Sequence, residues 1–488
     1  MVVRLILSLL SVCLTASCAR AHGEIATQIT RHGITWTFDQ PRPVGRFVTG
    51  DPWVVGPVTV VAVNPAPGPV EVGAASHEVK SRYGVTALRD DHRMRNGSMI
   101  VRRPSRGQAY DSRLTSYDPE LAFVFPLRLP VGRALVSTVS HVEFPTTVLH
   151  ADMMWSSEKR AALALRSAAI LTCVAAPPPS DAFRPAYAGD GRAPRRFSDL
   201  RWARLPRLAP PLASLPAVER YARYLERPWL DHLESWTLQH LGPSENQANY
   251  GREFSRITAV SALLLMLDLP REQQEPVAIG LVQLGLDLAG LAEAGRVWSP
   301  DGGHWIGRKL PILVAAELFD DDSLRRIVGS GIFSEDRQTY YGRGWVGQTA
   351  LYQIGLHGRA RPPHEHKPPQ EWSEGDKLAE GYRLTVSGAW PGAALAVRLL
   401  DAQAVWDHDA FLDYCDRWMS VADPYVERRF GIARPVEEGR AMDAFVNAMW
   451  RQYRASAADH PSPRAPRRWV WDADGKTGRF APDPVLSP

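Results

Sequence analysis

The sequence predicts a multidomain α and β protein, with an N-terminal β-sandwich-like region followed by an all-α helical domain of the α/α toroid-like type. Three observations carry that expectation. From about residue 29 to 144, short β-favouring runs alternate with turn residues. From 217 to 454 the apolar residues recur with a helical period. Between them, from about 176 to 216, the chain is rich in Pro and Arg and keeps no period, which places the domain boundary there.

The first segment, 1–21, reads as a secretory signal peptide. Arg4 precedes the apolar run Leu5 to Ala16, and Ala19-Arg20-Ala21 is a small-x-small cleavage pattern. The expected destination is secreted or periplasmic. Cys18 follows Thr15-Ala16-Ser17, and Thr15 stands where a lipoprotein box carries a leucine-like residue, so cleavage after Ala21 is preferred to lipid anchoring. Later apolar runs such as Ala259 to Leu269 fall short of the ~18 to 20 residues that cross a bilayer, so no membrane span is expected. Beyond the signal only Cys173 and Cys415 remain, which excludes a disulfide framework and leaves open whether the two pair.

The formal net charge of +4 is small for 488 residues and points to no nucleic-acid partner. Only six of the 57 basic residues are lysine, and the chain has only five asparagines. Arginine abundance therefore follows from composition, whereas a lysine or asparagine inside a motif does not.

In the β-rich region, 22–175, the expected strands include Ile34 to Phe38, Val58 to Val63, Leu135 to Val139 and Ala168 to Val174. Gly50-Asp51, Pro65-Ala66-Pro67-Gly68 and Asn96-Gly97 mark turns. The connecting segment, 176–216, is expected to wrap the surface. Helices are expected near 217–241, 249–268, 272–293, 303–319, 345–357, 387–405, 407–419 and 441–454. Short loops between them imply stacked antiparallel hairpins, closed as a toroid or left open as a solenoid. The tail, 455–488, is Pro-rich and expected to be irregular, apart from the apolar patch Trp469-Val470-Trp471.

Three constellations sit at helix edges. The first, Glu245 to Glu253, contains Asn246, Asn249, Tyr250 and Arg252. Two of five asparagines within four positions suggest a need for the amide, while a helix cap at Asn249 with Glu253 in the first turn is the competing reading. The second, Trp298 to Lys309, places His304 and Arg308 four apart beside Trp305 and Lys309, an anion-binding wall if the helix begins at the turn. An ordinary Asp301-Gly302-Gly303 turn with solvated cations is the alternative. The third, Glu335 to Trp345, carries Tyr340 and Tyr341, which either offer a phenol to a substrate or pack with satisfied hydroxyls.

Other features weigh less. His364-Glu365-His366 lies in a Pro-rich stretch without nearby ligands and reads as a solvated loop rather than a metal site. The His-Glu-x-x-His helix, the phosphate loop, the dinucleotide fingerprint and a nucleophile elbow are absent from the sequence. The tryptophans, Trp36, Trp53, Trp298, Trp305, Trp345 and Trp390 among them, read mainly as core, with some free to stack on sugar rings.

Together, the β-rich region with a helical hairpin domain, the Asn-Tyr motif, the Asp-Gly-Gly-His turn and the tyrosine loop resemble secreted polysaccharide lyases of the α/α-toroid type, with alginate and glucuronan lyases the nearest comparisons. The resemblance covers mainly 217 to 454. Many such lyases carry the β domain after the toroid, and here the order is reversed. The resemblance implies β-elimination on a uronate-containing polysaccharide, with an anionic polysaccharide or oligosaccharide as partner.

The residue types suit that chemistry. Elimination needs donors that neutralise the uronate carboxylate in the transition state, for which Asn249, Arg252 and Arg308 are candidates. It also needs a base, assigned to His304, and an acid, assigned to Tyr340 or Tyr341. Tyr250, Trp305 and Lys309 complete the expected substrate-binding set. These side chains supply every step, so neither cofactor nor metal is expected. A glycoside hydrolase on the same scaffold is the first alternative, with Glu245, Asp301, Glu335 and Asp336 available as a carboxyl pair ~5 to 9.5 Å apart. A non-catalytic glycan-binding envelope protein is the second.

Overall fold

The computed structural model describes residues 23–68, 94–114, 116–142, 163–189, 194–247, 251–356, 359–361, 363–421, 439–475 and 477–482. The expected signal peptide, 1–21, lies outside them.

Eight strands form one mixed sheet: β1 (Glu24–Arg31), β2 (Ile34–Arg46), β3 (Pro52–Val55), β4 (Val58–Asn64), β5 (Ser98–Met99), β6 (Leu127–Leu129), β7 (Ala134–Ser140) and β8 (Leu165–Val174). Their order is β5-β7-β8-β3-β2-β4-β6, with β1 also on β2. All neighbours are antiparallel except β3 and β8. The expected sandwich of two sheets is therefore corrected to a single sheet curled into a half-barrel. The curl comes from β2, whose 13 residues pair with β4 through Thr35–Phe38 and with β3 through Val44–Arg46. Bulges between Ala26 and Gln28 and between Thr37 and Phe38 bend the pairing there. Apolar alternation fixes which face is buried, but it is the same for two stacked sheets and for one sheet closing on itself.

Strands β7 and β8 explain how the sheet meets the helices. Alternate side chains point to opposite faces of a strand. Leu135, Val139, Ala169 and Leu171 enter the half-barrel core with Trp36, Val54 and Val60. Ala134, Val136, Ala168 and Ile170 face the other way, into the core shared with the helices. Burial on both faces accounts for their near-continuous apolar reading. The Trp36 indole N–H donates to Ser137 Oγ at 3.0 Å, which satisfies a fully buried donor.

The segment expected to wrap the surface instead threads the interior in part, with Phe183, Arg184 and Tyr187 buried. Beyond it lie α1 (Val218–Tyr224), α2 (Arg252–Leu265), α3 (Arg271–Glu293), α4 (Lys309–Phe319), α5 (Asp322–Val328), α6 (Ser334–Gln338), α7 (Glu374–Ser387), α8 (Pro391–Leu399), α9 (Gln403–Trp406), α10 (Asp409–Ser420) and α11 (Ala444–Tyr453). The expectation of an α/α toroid is overturned, because helix makes up only 36% of the chain and short hairpins interrupt it. Of the helix expected at 345–357, the described residues 345–356 are not helical: β9 (Thr339–Tyr341) and β10 (Ala350–Tyr352) pair across a Gly-rich loop, and β11 (Gly355–Leu356) pairs with β12 (Arg359–Ala360). Aromatic runs flanking Gly342, Gly344 and Gly347 favour strands and a turn over a helix. The tail is not irregular throughout, since β13 (Arg467–Trp471) and β14 (Gly478–Pro482) form a hairpin.

Helix boundaries move for local reasons. The helix expected at 217–241 stops at Tyr224, shortly before Pro228. The helix expected from 303 starts at Lys309, because Gly302 at φ 59° and Gly307 at φ 88° hold the preceding residues in turns. An unexpected helix, α7, opens with a reciprocal capping box between Ser373 and Asp376. Helix α3 is long and apolar enough to cross a bilayer, but 72% of its apolar window is buried inside the protein, the mark of a core helix. Cys173, in β8, and Cys415, in α10, are free and buried.

Candidate functional site

Asn249 and Tyr250 lie outside the described residues. Just after them, Gly251 at φ 92° caps α2, where a Cβ would lie 3.4 Å from Gly303 O. The Asp-Gly-Gly-His turn thus packs on the start of α2. It also meets α6, where Gln338 Nε2 donates to Gly302 O at 2.9 Å, and α7 through Tyr382.

His304 is half-buried, its ring centroid 3.9 Å from that of Trp305. Burial, and then the charge of Arg296, push its pKa down to about 3, so the imidazole is neutral near pH 7. Arg296 lies over the Trp305 ring at 4.4 Å and donates to the carbonyls of Asp231 and Leu233.

The cations expected beside His304 do not form an anion-binding wall. Arg308 is fully buried and donates to Asp231 Oδ1 at 3.1 Å and to Ile306 O at 2.5 Å, with its guanidinium 4.0 Å from the Phe254 ring centroid. Asp231 also accepts from the Trp298 indole at 2.5 Å. Lys309, equally buried, bonds Asp336 and the carbonyl of Trp406 and sits over the Trp406 ring. Arg252 donates to Thr385 O at 3.1 Å and lies 3.7 Å from the Glu253 carboxylate. Because the helix begins at Lys309, His304 and Arg308 do not share a helix face.

Tyr340 and Tyr341 occupy β9 and are mostly buried. The Tyr341 phenol donates to Asp413 Oδ2 at 2.5 Å, on α10, and burial followed by that carboxylate drives its pKa far above the usual phenol range. His304 therefore has Arg296 and Trp305 as neighbours, while Tyr341 faces Asp413, Asp409 and Arg398.

Among the carboxylates, Glu245 pairs with Arg227 at 2.6 Å and Asp336 with Lys309. Glu335 differs. It is buried, accepts from the Gly307 N–H at 2.5 Å through Oε1, and its Oε2 has no partner among the described residues. Burial, reinforced by Asp336, pushes its pKa up to about 7. His364 and Glu365 are not in a solvated loop: His364 Nε2 bonds Glu380 at 2.7 Å, and Glu365 accepts from Tyr352 N at 2.6 Å and pairs with Arg417.

Arg113, in the β region, is buried against Asp111, and Arg184 and Tyr187 serve the interface between sheet and helices. Nothing in the sequence marks Asp231, Arg296 or Asp413 as functional. Their spacing from the motif residues carries no periodic signal, and only the folded chain brings them together.

The β9–β10 loop is the exposed member of the tyrosine constellation. Its neck is held by Gly342 N to Thr349 O at 2.8 Å, Gly344 N to Gln348 O at 2.7 Å, and Trp345 N to Glu365 O at 3.0 Å. From this base Arg343, Trp345 and Val346 project into solvent, with 43% of Trp345 exposed. These features define a mixed α and β protein with a buried polar motif region and an exposed aromatic-cationic loop. No family model, curated protein or solved structure matches the chain.

Proposed function

We propose that this protein binds an anionic glycan, with the β9–β10 loop as its contact. The observation that carries the reading is the exposed indole of Trp345 beside the exposed guanidinium of Arg343 on a loop with a hydrogen-bonded neck. An indole offers a flat apolar face to a sugar ring, and a guanidinium matches a carboxylate with two parallel N–H donors. Arg252, Arg308 and Lys309 are occupied by internal acceptors, which favours binding over elimination at the Asp-Gly-Gly-His turn.

Calorimetric titration with oligouronates tests this. Trp345→Ala and Arg343→Ala should each weaken binding about tenfold, the scale of one lost charge-assisted contact. Unchanged affinity in both variants would overturn it. Elimination is the second reading, supported by the neutral imidazole of His304, which has the protonation state a base requires. Absorbance of unsaturated uronate that appears with the native chain and disappears in His304→Ala would establish that reading instead.

A further inference from the structure

A cavity of about 360 Å³ lies where the sheet meets α1 and α3, away from the β9–β10 loop. Its apolar wall includes Val48, Leu225, Trp229, Ile279 and Leu284. Its polar wall is built on Arg184, which is nearly inaccessible and donates to Asp51 Oδ2 at 2.8 Å and to both carboxylate oxygens of Asp287 at 3.0 and 2.6 Å. Gly280, on α3, would set a Cβ 2.5 Å from Leu225 Cβ, so helix and wall touch there and the space lies beside that contact.

The distribution of hydrogen-bonding groups in this wall is one-sided. The Arg184 guanidinium is committed to Asp51, Asp287 and Pro185 O. Arg227 is committed to Ser167, Glu226 and Glu245, and the Trp229 indole donates to Tyr224 O. The acceptors are not used up. Gln283 is 6% exposed, and its amide nitrogen donates to Arg184 O at 3.0 Å, while its buried Oε1 has no partner among the described residues. Asp51 is 4% exposed, and among the described residues its side chain accepts one hydrogen bond, from Arg184 at Oδ2. A buried acceptor without a donor carries a desolvation cost that a bound donor removes. A pocket of this size with an apolar wall and a few polar groups has the form of a small-molecule site.

We infer that this cavity is a binding site for a compact apolar molecule whose polar end donates hydrogen bonds, an amine or an alcohol, received by Gln283 Oε1 and Asp51. A carboxylate or phosphate head beside Gln283 and Asp51 is disfavoured, because it would meet two acceptors there while Arg184, Arg227 and the Trp229 indole are already bonded elsewhere. Arg223 and Glu226, the more exposed lining side chains, mark the entrance. The inference is independent of the glycan reading, since the two sites share no residue.

The test uses the full chain and three probes of one shape: cyclohexylmethylamine, cyclohexylmethanol and cyclohexanecarboxylate. Thermal stabilisation and calorimetry should show binding of the amine or the alcohol at least tenfold tighter than that of the carboxylate. Gln283→Leu, which keeps the side-chain size and removes the acceptor, should cut that preference roughly tenfold while the cyclohexyl ring still binds. Ala222→Phe, which fills the space, should abolish binding of all three. Equal binding of the carboxylate, binding that survives Ala222→Phe, or no binding by any probe to the native chain would each overturn the inference. If Gln283→Leu unfolds, the head-group preference of the native chain and the Ala222→Phe result still decide it.

Discussion

The half-barrel closes around Trp36, Phe38, Val54, Val60, Leu135 and Leu171, and the buried polar groups beside them are hydroxyls and one indole that bond each other. The helical region buries Arg256, Arg308, Lys309, Arg383 and Arg398 together with carboxylates. The half-barrel core rests on apolar area and hydroxyl hydrogen bonds, with the buried pairs Arg113–Asp111 and Arg184–Asp51 set where the sheet meets the helices, whereas the helical region carries paired charges within its core. That difference bears on function, because residues whose chemistry suggested a uronate site stand among the paired charges. A cation near a glycine turn signals a binding site only when its partner is missing, and here Asp231 and Asp336 are the partners.

The largest expected effect separates the two halves. Asp336→Ala leaves Lys309 buried opposite an empty position and should cost about 3 to 5 kcal/mol. The double change Lys309→Met with Asp336→Leu should recover most of that loss, because neither charge is then left buried without its partner. Urea denaturation of the single and double variants checks both, and a mild single-variant effect would break the contrast. In the sheet, Leu171→Ala should cost about 2 to 5 kcal/mol by cavity formation, with no dependence on salt or pH.

Glu335 sharpens the comparison through pH. Its folded pKa of about 7 stands above the ordinary value of 4.5, so the folded state binds its proton more tightly than the unfolded chain does. The stability it contributes is complete below about pH 4.5 and is lost as the pH rises through 7. Glu335→Gln, which mimics the protonated form, should therefore gain on the order of 2 to 3 kcal/mol relative to the native chain at pH 8, and the difference should shrink towards pH 4.5. Urea midpoints across that range measure it. The smallest effect belongs to Trp345→Ala, whose exposed ring should change stability by no more than about 0.5 kcal/mol.

Strands were legible where their alternation is strong. Ile34 to Phe38, Val58 to Val63 and Leu135 to Val139 fall inside β2, β4 and β7. Their assembly into one curled sheet was not, since the parallel pairing of β3 with β8 joins residues more than a hundred positions apart. In the second half, long apolar helices such as α3 were legible, whereas the aromatic hairpin at 339–352 was read partly as helix because tyrosine, tryptophan and leucine fit either period over so short a span. The capping box at Ser373 and Asp376 was a usable signal for α7 that apolar periodicity alone passed over.

The candidate site was legible in residue type but not in direction. The scarcity of lysine marked Lys309 as specified by structure or function, and that much holds in either case. What the sequence could not show is that Lys309 points inward to Asp336, 27 residues on, or that Arg308 meets Asp231 from the preceding segment. A helix start occupied by a cation looks the same from either side. The exposed part of the third constellation is Trp345 rather than the paired tyrosines, because both faces of β9 are covered, burying Tyr340 and Tyr341 on opposite sides, and Asp413 accepts from the Tyr341 phenol.

Oligouronate titration of the native chain beside Trp345→Ala and the Lys309→Met, Asp336→Leu double variant tests the central claim most directly. Trp345→Ala should lose about tenfold in affinity while the double variant binds as the native chain does. Binding lost in the double variant at intact stability, and kept in Trp345→Ala, would place Lys309 at the ligand and contradict it.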